Sequence, residues 1–483
     1  MLAALLCLAA LADRSDDLRP NHEPRPNFIV MLCDDIGAHE LGLYGHPTHQ
    51  TPRLDELGRT GIWFETGYAT PICHPTRFAI MTGQYGHHNG VFQFPNRPGG
   101  PVVANEGVDD ISAHVTFASL LRDAGYATAQ CGKWQLSGEH PKLIHEAGFD
   151  SYRMWAYRHN LPDGATHDGL WENRQNTKTA RYWHPSLVQD GEYLDTGIDD
   201  YGPDWFADFA IDFIAEHKHE PFLVYYPMAL THSPYWPTPT DDPADDAKGK
   251  HSRANWRSNV EYADRIAGRI VAALEENGVR ENTVVLFIGD NGTGGDGKAQ
   301  PTERGCRVPF IVNGPGLVQP TGRSRELVDI TDVLPTLCEL AGVDLPDDRP
   351  IDGISFAPYL RGETEPLRDY VYGYLGEHRI VRTKRHLLER NTMADFGRLY
   401  DCGDSRDGTG YRDITDDDTP EADAARKQMR QILADKPAPI VTAGSQDPIP
   451  KQLKRNQKAK RQGKLKSQNE APANRTPAKE TRP

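Results

Sequence analysis

Phe28-Ile29-Val30-Met31-Leu32-Cys33-Asp34-Asp35 is a run of six apolar residues that ends in two adjacent carboxylates. An unbroken apolar run of this length reads as a strand buried on both faces, because a half-exposed strand would alternate with polar residues. The same pattern recurs at Val284–Gly289, which runs into Asp290-Asn291-Gly292. Ala127–Cys131 and Phe222–Met228 are further strand candidates, and amphipathic stretches at Val115–Tyr126, Asp204–Lys218 and Arg253–Asn277 read as helices between them. In the second helix Asp204 is the expected N-cap, and Phe206, Phe209 and Phe213 share one stripe. The third ends on Asn277-Gly278, a C-terminal signal. This alternation predicts an α/β fold with a largely parallel central sheet flanked by helices. Its acidic pairs then sit at strand carboxyl ends, where open α/β sheets bind ligands.

Farther along, the pattern changes near Arg361–Leu367. Val371–Tyr374, His378–Thr383, His386–Leu388 and Arg398–Tyr400 are short strand candidates for a small C-terminal antiparallel-sheet subdomain. Beyond about Lys436 the chain is rich in Pro, Lys, Gln and Arg without periodicity, as expected of a solvated, disordered basic tail. Leu2 to Ala12 is apolar, ends in Ala10-Leu11-Ala12 and is followed by Asp13-Arg14, which reads as a secretory signal without a basic n-region. The expected organisation is a signal peptide over 1–12, a catalytic domain over 24–362, a C-terminal subdomain over 363–435 and a tail over 436–483. Pro95–Pro101 and Pro237–Gly249 read as surface loops. No apolar stretch is long enough to span a bilayer.

The net charge is −15, from 54 Lys and Arg against 69 Asp and Glu. Residues 451–483 are rich in Lys and Arg, so the body is more acidic still, which argues against nucleic acid as a partner of the folded part. The seven cysteines form no C-x-x-C pair, and their spacing gives no disulfide framework.

Two constellations carry chemistry. In Cys73-His74-Pro75-Thr76-Arg77, Pro75 suits the first turn of a helix, here expected over Pro75–Met81, whose positive end faces Cys73. That end is an anion site, and Arg77 adds a planar fork for an anionic oxygen. The second is Asp34-Asp35 with Asp290-Asn291. Taken singly, the first pair reads as a solvated strand end and the second as an Asn-Gly turn. Converging, three carboxylates and an amide oxygen call for a hard divalent cation, calcium (Ca2+) or magnesium (Mg2+), rather than zinc.

Cys73–Arg77 resembles the C-x-[PA]-S-R signature of the type I sulfatases of the alkaline phosphatase superfamily, in which the cysteine is oxidised to formylglycine. Thr76 replaces the usual Ser and keeps its hydroxyl. The acidic pairs match that family's calcium site in type and order, which implies Asp34, Asp35, Asp290, Asn291 and the side chain at Cys73 as ligands. Calcium is the resemblance's choice, with magnesium the alternative. Gly132-Lys133-Trp134-Gln135 resembles the family's G-K-W-H segment and implies that Lys133 neutralises the sulfate. Gln135 stands where the family commonly has a proton-accepting His, and a Gln cannot be a base, so it is left to orient the nucleophile. Thr231-His232-Ser233-Pro234 resembles T-H-x-P and implies that His232 protonates the leaving alcohol. Lys298 with Glu303–Pro309 resembles K-x4-E-G-G-x-R-x-P, although Arg304 and Gly305 displace part of the double glycine. Lys298 would assist His232 and grip the sulfate, and Asp290 would help deprotonate the nucleophile. His87-His88 lacks zinc spacing, so His88 is read as lining the substrate cleft.

The resemblance, over residues 24–435, implies a sulfuric ester hydrolase that acts on a sulfated carbohydrate monoester through a formylglycine hydrate. Its implied partners are a sulfated small molecule or glycan and a formylglycine-generating maturation enzyme, and its implied location is periplasmic or secreted. Two alternatives stand beside it: a phosphonate monoester hydrolase or phosphodiesterase with the same chemistry, and a sulfated-glycan-binding protein without turnover. Gln135 keeps the second open.

Overall fold

The computed structural model describes residues 25–93, 111–136, 143–156 and 180–438. The apolar run 1–12, the loop Pro95–Pro101 and the basic tail beyond 438 lie outside the described residues. The main sheet contains β1 (Asn27–Cys33), β2 (Ile62–Tyr68), β3 (Ala127–Gly132), β4 (Ser151–Trp155), β5 (Leu187–Gln189) and β6 (Glu192–Leu194). It is completed by β7 (Phe222–Pro227), β8 (Thr283–Gly289), β9 (Arg307–Val308), β10 (Phe310–Asn313) and β11 (Gly322–Asp329). Their order is β11-β2-β10-β8-β1-β7-β3-β4-β5-β6, with β9 paired to β2. The central run β8-β1-β7-β3-β4 is parallel throughout. β10 is antiparallel to both its neighbours, and β5 and β6 close the other flank as antiparallel edges.

β1 shows why the apolar run has no alternation. Phe28, Val30 and Leu32 enter the core on one face of the sheet, and Ile29, Met31 and Cys33 enter the core on the other. Helices cover both cores, so every position of the strand is dry.

Several helix boundaries differ from the sequence reading, each for a local reason. The helix expected over Pro75–Met81 runs over Cys73–Thr82, with extended Ile72 as its N-cap. Pro75 still lies in the first turn, where an N–H has no intrahelical partner, so the helix starts ahead of it. Asp204 is not an N-cap. The helix is Gly202–Glu216, capped at Tyr201, because Pro203 occupies its first turn. Asp204 instead accepts the Tyr262 hydroxyl at 2.8 Å and Arg269 Nη1 at 2.8 Å, pinning two helices together. Arg253–Asn277 divides into a 3-10 turn, Arg253–Asn255, and an α-helix, Trp256–Glu276, capped at Asn277. Val115–Tyr126 shortens to Phe117–Asp123, because Thr116 and Ser119 form a capping box at its start.

A second sheet joins β12 (Tyr370–Leu375), β13 (His378–Thr383), β14 (His386–Asn391), β15 (Arg398–Asp401) and β16 (Arg412–Asp413), all antiparallel. It packs on a helix, Pro420–Ala434, that the sequence reading passed over. Its signal is present: Thr419-Pro420 starts it, and Ala422, Ala425, Met429 and Leu433 recur at helical spacing and are buried. The six cysteines among the described residues are all buried free thiols. Among the described residues no helix is long and apolar enough to cross a membrane.

Gly132 ends β3 with φ +111°, and a Cβ there would lie 2.2 Å from the carbonyl oxygen of Pro227. That carbonyl already accepts the Lys133 amide at 2.7 Å. Gly132→Ala is therefore expected to lower stability by about 2–3 kcal/mol, read as a shifted urea midpoint. An unchanged midpoint would contradict this packing.

Candidate active site

The strand register builds the site. Cys33 faces Gly289 across β1 and β8, and Leu32 faces Pro227 across β1 and β7, so these parallel strands end level. The chains leaving them are then stitched together. Asp290 N donates to Cys33 O at 2.9 Å, Asp34 N to Leu230 O at 2.8 Å and Thr231 N to Asp34 O at 2.7 Å. Asp34, Asp35, Lys133, Thr231, Asp290 and Asn291 thus converge at one sheet edge, with Cys73 entering from the first turn of its helix.

Each carboxylate there has a cation. Lys133 Nζ is 2.6 Å from Asp34 Oδ2, Arg77 Nη2 is 2.8 Å from Asp290 Oδ2, and Lys298 Nζ is 2.6 Å from Asp35 Oδ1. Burial alone would raise Asp34, but the charges of Lys133, Arg77 and Lys298 outweigh it and hold this carboxylate well below the usual range. Asp290 is pushed up to about 7 by burial and by Asp34, against the pull of Arg77 and Lys133. Burial also leaves Asp35 raised, with Lys298 opposing it and Asp34 adding to it.

Two oxygens in this cluster are buried and have no hydrogen-bond partner: Asp34 Oδ1 and Asn291 Oδ1. The Asn291 amide nitrogen donates to Asp35 Oδ1 and Gly292 O, both at 2.9 Å, and this turns its oxygen the other way. Asp34, Cys73 and Asp290 each present a ligand atom within 4.8 Å of one another. Unpartnered hard oxygens among carboxylates are the donor set of a calcium or magnesium ion, so the residues fit such an ion.

The first turn around Cys73 is anchored on both sides. Thr76 Oγ1 accepts the Thr70 amide at 3.0 Å and meets Thr70 Oγ1 at 2.7 Å, so the Thr-for-Ser departure keeps the hydroxyl that ties down the preceding loop. His74 Nδ1 donates to the Gln135 carbonyl at 2.9 Å. Gln135 Oε1 is buried and unpartnered. Arg77 is fully buried, with Nη1 on the Lys133 carbonyl at 2.8 Å and Nη2 on Asp290, so its fork organises the site from behind. Burial, with Asp34 and Asp290 adding to it against Lys133 and Lys298, raises the Cys73 thiol, which is therefore protonated and a poor nucleophile.

His232 Nδ1 donates to Ser233 O at 2.5 Å, which leaves Nε2 facing Asp35 Oδ2 at 3.7 Å. Burial and the Lys298 charge hold His232 well below the ordinary histidine value, with Asp34 opposing them. His232 is thus neutral, with its lone pair on Nε2.

Backbone strain gathers here as well. Asp35 (φ 63°), Gln135 (φ 59°) and Ala299 (φ 57°), next to Lys298, are left-handed without being glycine. Such residues persist where surrounding structure over-determines them. The displaced double glycine also has a physical reading. A Cβ on Gly305 would lie 2.2 Å from Gln300 O, so glycine is required there, whereas Arg304 points outward and bonds Asp296 at 2.6 Å.

His88 stands apart from this cluster: its Nδ1 meets Asp352 Oδ2 at 2.9 Å, and no contact joins it to Cys73 or the carboxylates. Sequence reasoning passed over a clamp between the two acidic loops. Thr293 Oγ1 accepts the Gly37 amide at 3.1 Å and donates to Glu40 Oε1 at 2.8 Å, while Trp256 Nε1 donates to Glu40 Oε2 at 3.0 Å. The only signal was a threonine two residues past Asn291. Tyr182, whose hydroxyl bonds His232 O at 2.5 Å, had no signal in the sequence.

Comparison with known proteins agrees with this geometry. Residues 26–343 match the Sulfatase family, and residues 298–437 match the N-sulphoglucosamine sulphohydrolase C-terminal family. The chain is 29% identical to an arylsulfatase of Hemicentrotus pulcherrimus, covering 81% of this chain and 73% of the relative. It is 32% identical to the N-acetylgalactosamine-6-sulfatase of Canis lupus familiaris, over 70% of this chain and 66% of that enzyme's length. Among solved structures, a sulfatase from Pseudoalteromonas sp. superposes with TM-score 0.66 at 22% identity, covering 86% of this chain and 92% of the other. A protein crystallised with its substrate D-glucosamine-2-N,6-O-disulfate gives TM-score 0.66 at 22% identity, covering 85% and 97%, a likeness of fold. The family match spans well over half of the chain and contains every residue of the carboxylate–cation cluster, so the chain belongs to the sulfatase family and its reaction is hydrolysis of a sulfate ester.

Proposed function

We propose that this sulfatase removes sulfate from a carbohydrate monoester, with the side chain at position 73 converted to formylglycine by a maturation enzyme and with calcium as its cation. One observation carries the reading: the side chain at position 73 lies within 4.8 Å of ligand atoms of Asp34 and Asp290, among three fixed cations. The N-acetylgalactosamine-6-sulfatase relatives and the glucosamine disulfate complex support a sugar as the alcohol. We assign the catalytic part to residues 24–362 and a C-terminal subdomain to 363–435. A leader at 1–12 would direct the chain to the periplasm or outside the cell.

Asp34, Asp35, Asp290 and Asn291 would hold the cation, which supplies positive charge to a sulfuryl oxygen and favours the ionised hydroxyl. The side chain at position 73, once converted to formylglycine and hydrated, would supply two hydroxyls on one carbon, the chemistry needed to attack sulfur and to release sulfate. The chain's own residues do the rest. Three carboxylates face three cations, so the side chains alone are neutral, and a divalent ion leaves a net charge that suits a sulfuryl group becoming a dianion. Lys133 and Lys298 bind sulfuryl oxygens, and losing one such preorganised contact typically costs roughly 10²–10³ in rate. Arg77 keeps Asp290 aligned, and Asp290 helps to take the nucleophile's proton. Gln135 accepts a hydrogen bond from the nucleophile through its unpartnered Oε1. His232 starts neutral. The arriving anion offsets Lys298 and stabilises the imidazolium, so Nε2 takes up a proton from solvent as the substrate binds and gives that proton to the leaving oxygen. His88, held on Asp352, is assigned to the cleft wall and not to the reacting group.

Mass spectrometry of the peptide spanning Cys73, from an active preparation, is expected to report an aldehyde; an intact thiol with undiminished sulfate release would overturn the reading. His232→Asn is expected to slow hydrolysis of a sugar sulfate by about 10²–10⁴, and that of para-nitrophenyl sulfate far less, because only the alkoxide needs a proton. Equal losses on both would remove His232 as the acid.

The titration of Asp290 sets the pH dependence of metal binding. Its folded-state value, about 7, lies above the ordinary carboxyl value of 3.8, so between the two the metal-free folded protein holds a proton that the unfolded chain has lost. The stability contributed by this group is present at low pH and is lost as pH rises toward 7. A cation must displace that proton, so calcium affinity is expected to climb with pH up to about 7 and then level. Calorimetric titration at pH ~6 in buffers of different ionisation enthalpy is expected to show release of up to about one proton; identical heats in all buffers would contradict it.

A further inference from the structure

Eight arginines among the described residues are buried, and seven of them donate to a protein carboxylate, amide oxygen or carbonyl. Arg181 is the exception. It is 5% exposed, yet it makes no hydrogen bond or ion pair with any described residue. Its guanidinium lies 4.4 Å from the ring centroid of Trp155 and 5.8 Å from that of Tyr182. Stacking on two aromatic faces offsets part of the cost of burying a cation but leaves its N–H donors without a partner among the described residues. None of its nitrogens is among the fully buried polar atoms that lack a partner, so the little surface it keeps lies on the fork and an anion can reach it.

Its position says which part of a ligand that is. Tyr182, the next residue, shares its one hydroxyl proton between His232 O at 2.5 Å and Ala229 O at 2.9 Å, so Arg181 is anchored to the loop that carries His232. Arg181 is also among the positive charges that act on the His232 ring. The sulfuryl side of the centre already has Lys133 and Lys298, whereas His232 faces the leaving oxygen. Arg181 therefore flanks the alcohol half of the substrate.

We propose that Arg181 anchors a second anion subsite on the leaving-group side, and that the preferred substrate carries a second anionic group on the sugar that departs. This rests on the assignment of His232 to the leaving oxygen. The shared chemistry is a planar or tetrahedral oxyanion read by a bidentate fork, either the carboxylate of a uronic acid or another sulfate ester.

The test is a matched set of saccharides with the same cleavable sulfate ester: one otherwise neutral, one with a carboxylate and one with a second sulfate, with para-nitrophenyl sulfate as the reference ester. The wild type is expected to favour one of the dianionic sugars over the neutral one by about 10–100-fold in kcat/KM, expressed in KM, and the favoured arm identifies the oxyanion. In Arg181→Met, which keeps the packing on Trp155, that ratio is expected to fall toward about one. Arg181→Lys, which keeps the charge without the fork, is expected to fall between. A wild type with no preference overturns the subsite. So does an Arg181→Met variant, folded by its melting curve, that loses activity equally on all four esters. A wild type that cleaves para-nitrophenyl sulfate and none of the sugars removes the carbohydrate reading, and the subsite with it.

Discussion

Cys33 and Gly289 lie opposite one another at the ends of adjacent parallel strands, and this level ending forces like charges together. Asp34 and Asp290 leave those strands side by side, and the Asp35 amide is held on Asp290 Oδ1 at 2.9 Å. Buried carboxylates this close repel one another, as the raised titrations of Asp35 and Asp290 reflect. Everything else in the site answers that repulsion. Arg77, Lys133 and Lys298 arrive from a helix, a strand end and a loop, and each closes on a different carboxylate.

The rest of the fold keeps these groups from relaxing apart. Dry cores on both faces leave β1 no room to slip, and a one-residue slip would exchange its two apolar sets. Beyond the strands, the clamp through Thr293 and Glu40 ties one acidic loop to the other, and the His74 hydrogen bond ties the Cys73 turn to the Gln135 turn. Left-handed residues at Asp35, Gln135 and Ala299 are local strain carried by this bracing. Departures from the usual family pattern follow the same physics. Thr76 keeps the hydroxyl contacts to Thr70 that tie down the preceding loop, and Arg304 is tolerated because its side chain leaves the crowded turn that Gly305 must fill.

Much of the architecture was legible in the linear pattern. Strands buried on both faces read as unbroken apolar runs, and the acidic pairs at their ends pointed to a ligand edge. Helix starts were less legible, because Pro75 and Pro203 favour a first turn without saying which of its positions they occupy. The helix Pro420–Ala434 was missed although its cap and period were present. The antiparallel insertion of β10 between β2 and β8 had no signal at all, since pairing direction depends on a partner far away in sequence.

By itself, the sequence determined residue chemistry and local periodicity: which side chains can ionise, which runs must be dry, and the family to which the motifs belong. Only the tertiary structure decided partnership. It gave Arg77 to Asp290 and not to open solvent, left Asp34 Oδ1 and Asn291 Oδ1 unpartnered, held His232 below its ordinary value, and left Arg181 stacked on Trp155 with no counter-charge among the described residues. The physical reason is that a strand or helix is specified by neighbours a few residues away. The energy of a charge is specified by what lies within a few ångströms of it, wherever that stands in the chain.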